Sequence, residues 1–213
     1  MIFQRLKLSL LGWAPAAFLV ASALAGTVDF IQPVTARDHL RGDPAAPVKV
    51  IEFGDTECPL CKRHHLTLKR LVREYPGKVV WVFRHYPIDA IHPKARKEAE
   101  ATECAAELGG NDKFWAYLDR LYEVTPSSDG LDPAELPRIA AQVGLKQKFF
   151  AQCLASGRHA RRVQEDVDDA LAAGASGTPY TVVLVPNGRQ FAILGAQPYA
   201  SVKLVVDIAL GMR

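Results

Sequence analysis

Two of the four cysteines stand two residues apart in "ECPLCKRHH", and these are the residues most able to do chemistry. Cys58 and Cys61 could be half of a zinc site, a structural disulfide, or a redox pair that passes disulfides to other proteins. The zinc reading uses Cys58, Cys61, His64 and His65, with His85 and His92 in reserve. Structural zinc sites take a second ligand pair well separated in sequence, and no second CxxC or compact HxxxH is present. Adjacent residues on a helix point about 100° apart, so His64 and His65 do not converge on one ion. Solvated or half-buried helix positions are expected for both. A CxxC at the start of a helix has a firmer use. The unpaired N–H groups and positive dipole end of the helix stabilise a thiolate on the first cysteine. That lowers its pKa and makes it both nucleophile and leaving group. Cys58 is then the attacking thiol, Cys61 the buried resolving thiol, and Pro59 is preorganised for the first helical position.

The pair needs elements to hold it. "VKVIEF" (48–53) reads as a buried strand, an apolar run broken by one acid, Glu52. From Leu60 the residues Leu68, Leu71, Val72 and Tyr75 follow one helical stripe, which Pro76-Gly77 ends. "VVWVF" (79–83) is a second strand, giving a βαβ unit over 48–92. Residues 93–173 read as helices. Ala101, Cys104, Ala105 and Leu108 share a face, and a second stripe of Phe114, Trp115, Leu118, Leu121 and Tyr122 follows Asn111-Asp112. Asp132 is expected as an N-cap, with Pro133 in the first position, Glu135 completing a capping box, and an end at Gly144. Short stripes closed by Gly157 and Gly174 complete the stretch. "YTVVLV" and "QFAILG", joined by Pro-Asn-Gly-Arg, read as a hairpin, and a last helix runs from about 198 to 210. The order βαβ, helices, ββα is an α/β chain: a thioredoxin fold with an inserted all-helical subdomain. Its parts are 27–47 (a linker or lead-in strand), 48–92 (the first half), 93–173 (the insertion) and 174–213 (the second half).

That fold gives other residues meaning. An acid in an apolar strand is costly without a task, and Glu52 could hold a raised pKa and move protons for the cysteines; the alternative is a strand-end residue turned to solvent. Thr178-Pro179 precedes the third long strand. Proline is tolerable there anyway, but a thioredoxin fold places a cis proline at this point opposite the CxxC, beside backbone that can pair with an extended peptide. Cys104 and Cys153 are either two inert buried thiols or a structural disulfide, and the disulfide suits an exported chain with an even cysteine count. Export is expected because Arg5 and Lys7 precede the uncharged run "LSLLGWAPAAFLVASALAG" (8–26). Residues 1–26 fit a secretory signal, with ALA at 23–25 as cleavage site, and equally a retained membrane anchor. A net charge of +3, with no basic run interleaved with aromatics, gives no footing for nucleic acid.

"EFGDTECPLC", the helical stretch and "GTPYTVVL" together resemble the DsbA-like thiol–disulfide oxidoreductases of the bacterial cell envelope. The resemblance extends to a subgroup with "DTECPLCKRHH", "RHYPIDAIHPKA" and "GAQPY". It implies reversible oxidation of the pair, with Cys58 as nucleophile, Cys61 as resolving thiol, Pro179 as cis proline with Thr178 beside it, and Glu52 as the buried acid. It also implies extracytoplasmic work on unfolded exported proteins, a membrane or envelope partner that resets the pair, and no cofactor or metal. One position departs. The best-known oxidases of the family have histidine where this chain has Leu60, which carries no charge and donates no hydrogen bond. A weaker oxidant with a higher Cys58 pKa is therefore expected. A chaperone-like module of the same fold, binding peptides without turnover, is the alternative.

Overall fold

The structure, a computed structural model, describes residues 30–212; the expected leader at 1–26 lies outside the described residues. Strand β2 (Val48–Gly54) is buried along nearly its whole length, as its run of valine, isoleucine and phenylalanine requires. It pairs in parallel with β3 (Val79–His85) and antiparallel with β4 (Tyr180–Leu184). The edges are β1 (His39–Gly42) and β5 (Gln190–Leu194), giving the order β1-β3-β2-β4-β5. Strand β1 lies in the segment read as a linker or lead-in strand. Buried Arg84 fastens that segment, donating to Asp38 at 2.7 Å and to the Gln32 and Pro33 carbonyls.

Helix α1 (Pro59–Glu74) and helix α6 (Tyr199–Ala209) cover one face of the sheet. Leu68 and Leu71 there meet Val50, Trp81, Phe83 and Val183. Helix α5 (Ala160–Ala172) covers the other face, setting Val167 and Ala170 against Ile51, Phe53 and Val182. Each such side chain contributes roughly 1.5–3 kcal/mol by leaving water. The remaining helices, α2 (Ala95–Val124), α3 (Glu135–Gln142) and α4 (Gln147–Ser156), bury a third cluster among themselves, containing Cys104, Tyr117, Ile139, Phe150 and Cys153. The two stripes expected around 101–122 form one element, α2, broken at Gly110, whose φ of 73° suits glycine.

Two expectations need correction. Helix α3 begins at Glu135 and not at Pro133. The Asp132 carboxylate accepts from the Ala134 N–H, two residues on, and its carbonyl accepts from the Glu135 N–H. The residues meant as first turn are thus a tight lead-in turn, and no capping box forms. His64 and His65 are also not solvated or half-buried; they are 0% and 2% exposed. The sheet on one side of α1 and α2 on the other enclose them, and each ring finds a partner, His64 in buried Thr181 and His65 in half-buried Asp119.

Candidate active site at the start of helix α1

Cys58 is the N-cap of α1 and Pro59 follows as the first helical residue. The strand before it ends at Gly54, where any Cβ would come within 2.6 Å of the Phe83 ring, so the chain passes close over β3 before it turns into the helix. Both cysteines are free thiols. Cys58 keeps 7% of its surface exposed and Cys61 none. A bond from the Cys61 thiol, backbone N–H groups of Cys61 and Leu60, and the Thr178 side chain together outweigh burial and lower Cys58 to about 6. Burial, its role as donor to Cys58, and the nearby negative charges hold Cys61 well above the ordinary thiol value. One sulfur is therefore a ready thiolate and the other a stubborn thiol, although only two residues separate them.

Thr178 and Pro179 reach the same place from the far end of the chain. Their peptide bond is cis, and the Cys58 thiol lies 3.5 Å from the Thr178 carbonyl oxygen, to which it donates when protonated. Leu60 is exposed and Pro59 with it, so both flank the accessible sulfur at the surface.

Glu52 is wholly buried, cross-strand from Thr181 and Phe83. Neither carboxyl oxygen has a hydrogen-bond partner within the protein, and the Trp81 indole N–H is likewise unpaired. Burial pushes Glu52 up to about 8; the nearby Trp81 indole works against this without cancelling it, and negative charge on Cys58 adds to it. The acid is thus set to hold a proton near neutral pH and to release it under mild provocation.

The histidines serve the scaffold. His64 Nε2 lies 3.0 Å from the Thr181 hydroxyl and His65 Nε2 lies 2.6 Å from Asp119. Burial lowers both, His64 to about 4, and they point to different neighbours. Among the described residues, the grouping with metal-ligand spacing is Cys104, Cys153 and His159, and both of its sulfurs are joined in a disulfide.

Sequence reasoning passed over Asp55. Its N–H donates to Cys61 Sγ at 3.4 Å, and its carboxylate accepts from the Ile88 N–H and from His92 Nδ1. Asp55 so fixes the resolving sulfur and the loop after β3 together. Its position three residues before Cys58, between β2 and the CxxC, is the sequence signal for it.

The sequence pattern of the family described as Thioredoxin matches residues 35–206. The chain belongs to the thioredoxin family, as a DsbA-like member. Pseudomonas aeruginosa DsbA2 is 28% identical, with a TM-score of 0.71 over 83% of this chain and 96% of that one. Oxidised BdbD from Bacillus subtilis shares the fold at a TM-score of 0.74 and 24% identity, covering 87% of this chain and all of BdbD. Among curated relatives, the Na(+)/H(+) antiporter NhaA 3 of Salinispora tropica is 40% identical over 180 residues, 83% of this DsbA-like chain. That stretch is 26% of the antiporter, so the chain spans about a quarter of the length of such relatives.

Proposed function

We propose that this DsbA-like chain is a thiol–disulfide oxidoreductase that acts on exported proteins outside the cytoplasm. The observation that carries this is the asymmetry of the pair: Cys58 keeping a 7% opening to solvent and lowered to about 6, Cys61 sealed beneath it and raised. In the oxidising direction a substrate thiolate attacks Cys58 Sγ. The Cys58–Cys61 bond breaks and Cys61 leaves with the electron pair, taking a proton that Glu52 supplies through an intervening water. A second substrate thiolate then attacks the substrate sulfur of the mixed disulfide and expels Cys58 as a thiolate. Two substrate thiols become one disulfide, the pair is reduced by two electrons, and a second redox protein must restore it. Run backward, the same steps reduce a substrate disulfide. Thr178 and Pro179 would seat the substrate backbone during attack.

A Cys58 value near 6 lies between the roughly 3.5 and 7 known for strongly oxidising and reducing CxxC thiols. It favours a moderate oxidant, in keeping with Leu60 beside the pair. The uncharged run at 8–26 and the likeness to part of an antiporter support a setting at the outer side of a membrane, by export or by anchoring. No helix among the described residues is long and apolar enough to cross a membrane. No bound cofactor is needed. The test is insulin reduction by dithiothreitol with wild type and Cys58→Ser. Turnover by wild type that disappears in the variant is expected; equal rates in both, or none in wild type, leave only the peptide-binding module.

A further inference from the structure

Away from Cys58, the helical subdomain gathers a second set of donors around its own cysteines. Cys104 and Cys153 are each 1% exposed, and the ligand atoms of both and of His159 lie within 4.8 Å of one another. Glu107 completes the group: its Oε2 is 2.9 Å from His159 Nε2 and 3.9 Å from Cys153 Sγ. Two short local patterns build this cluster. Glu107 stands three residues after Cys104 on α2, so the two share one face of that helix. Cys153 lies in the last turn of α4, which Gly157 ends at a φ of 63°, and the chain turns back there so that His159 leads into α5. Arg158, next to His159, donates to both Glu107 oxygens. The sulfurs lie beneath, and the outer pair meets solvent, with side-chain exposures of 20% for His159 and 38% for Glu107.

We propose that Cys104, Cys153, His159 and Glu107 form a zinc site whenever the disulfide between the two cysteines is open. Two thiolates, an imidazole and a carboxylate suit a closed tetrahedral zinc centre, and soft sulfur disfavours magnesium or calcium. Sulfurs bound to one zinc stand roughly 3.8 Å apart, a spacing that side-chain rotation reaches across the 5.9 Å between the two Cα atoms. Opening the bond takes a dithiol, which gives up two electrons and two protons and becomes a disulfide while Cys104 and Cys153 become thiols. Zinc, entering past the two exposed side chains, then binds both sulfurs as thiolates and releases those protons. His159 meets the metal with its Nε2 lone pair, the ring proton moving to Nδ1, and Glu107 turns Oε2 to the ion. Two thiolates and Glu107 exceed the charge of zinc by one, which Arg158 offsets from Oε1. The same four residues thus staple α2, α4 and the start of α5 in either redox state, by a covalent bond or by an ion. Neither Cys58 nor Cys61 is needed, so the site stands or falls apart from the function proposed above.

The full chain carrying Cys58→Ser and Cys61→Ser keeps the helical pair as its sole cysteines. It is reduced with a phosphine, which leaves as the oxide, and titrated with zinc against a chromophoric chelator. The reduced form should bind one zinc ion per chain and the oxidised form none. Cobalt in its place should give the strong visible bands of a four-coordinate site, with sulfur-to-metal charge transfer. His159→Ala and Glu107→Ala, both at the surface, should each weaken zinc binding by about tenfold or more. A reduced chain that takes up no zinc, an oxidised chain that takes up as much, or variants that bind as tightly as their parent overturn the site. Should the reduced chain lose its fold without metal, zinc should restore its helical circular dichroism in the parent and not in His159→Ala. No recovery in the parent, or equal recovery in both, overturns the site as well.

Discussion

The chain holds two cysteine pairs with opposite characters, and their surroundings explain the difference. Cys58 and Cys61 straddle a helix start, where free N–H groups, an unpaired buried acid and Thr178 all act on the sulfurs. Cys104 lies within α2 and Cys153 in the last turn of α4, 49 positions apart, each 1% exposed among Ala101, Leu136, Ile139 and Phe150. There no helix N-terminus stabilises a thiolate, and the bond staples two helices that share a small core. A cysteine's reactivity is thus set less by its sequence spacing than by which end of which helix it meets, and by how much charge its site can tolerate.

Removing the staple should have the largest effect. Cys104→Ala with Cys153→Ala should lower unfolding stability in urea by ~4 kcal/mol, from the entropy of a loop of that length. The pH course of Cys58 alkylation should stay put. A loss below ~1 kcal/mol, or a displaced alkylation curve, breaks the contrast between staple and tool.

Glu52→Gln comes next, and its sign is unusual: the variant should be more stable. The folded pKa of about 8 lies above the ordinary 4.5, so the folded state keeps a proton that the unfolded state has lost. Wild-type stability therefore falls as pH rises from about 4.5 to 8, and the loss reaches ~3 kcal/mol at pH 7. Urea titrations at pH 4, 7 and 9 should show the Gln variant gaining over wild type across that window. Its thiol–disulfide turnover should drop at the same time, because Cys61 loses its proton source. A variant that gains no stability means Glu52 is not the strained acid described.

Leu60→His should have the smallest effect. Equilibrium with glutathione should show a more oxidising pair, by ~30 mV or about 1.4 kcal/mol, as the imidazole favours the Cys58 thiolate. An unchanged or more reducing pair removes Leu60 from the account.

Strong local patterns made much of this legible. The β-branched runs of β2, β3 and β4, the stripe of α1 and the turn before β5 each repeat a single period long enough to read. The placing of Thr178 and Pro179 beside the cysteines follows from the thioredoxin fold that the element order suggests, whereas the burial of Glu52 was one of two alternatives open in the sequence. What escaped was set by neighbours. His39–Gly42 has no strand period; it is a strand because β3 has an open edge and Arg84 holds the segment against it. His64 and His65 looked polar, yet Thr181 and Asp119 wait for them at distances no local pattern encodes.

Strand β4 joins β2 only after all of α2 to α5 has been made, and Cys58 meets Thr178 across 120 positions of chain. A copy emerging N-terminus first therefore bares both of its reactive sulfurs while the segment that guards them is still unwritten. Pairings of such long range form slowly. During that interval the incomplete chain carries two thiols without the Thr178 carbonyl that meets Cys58 in the finished fold.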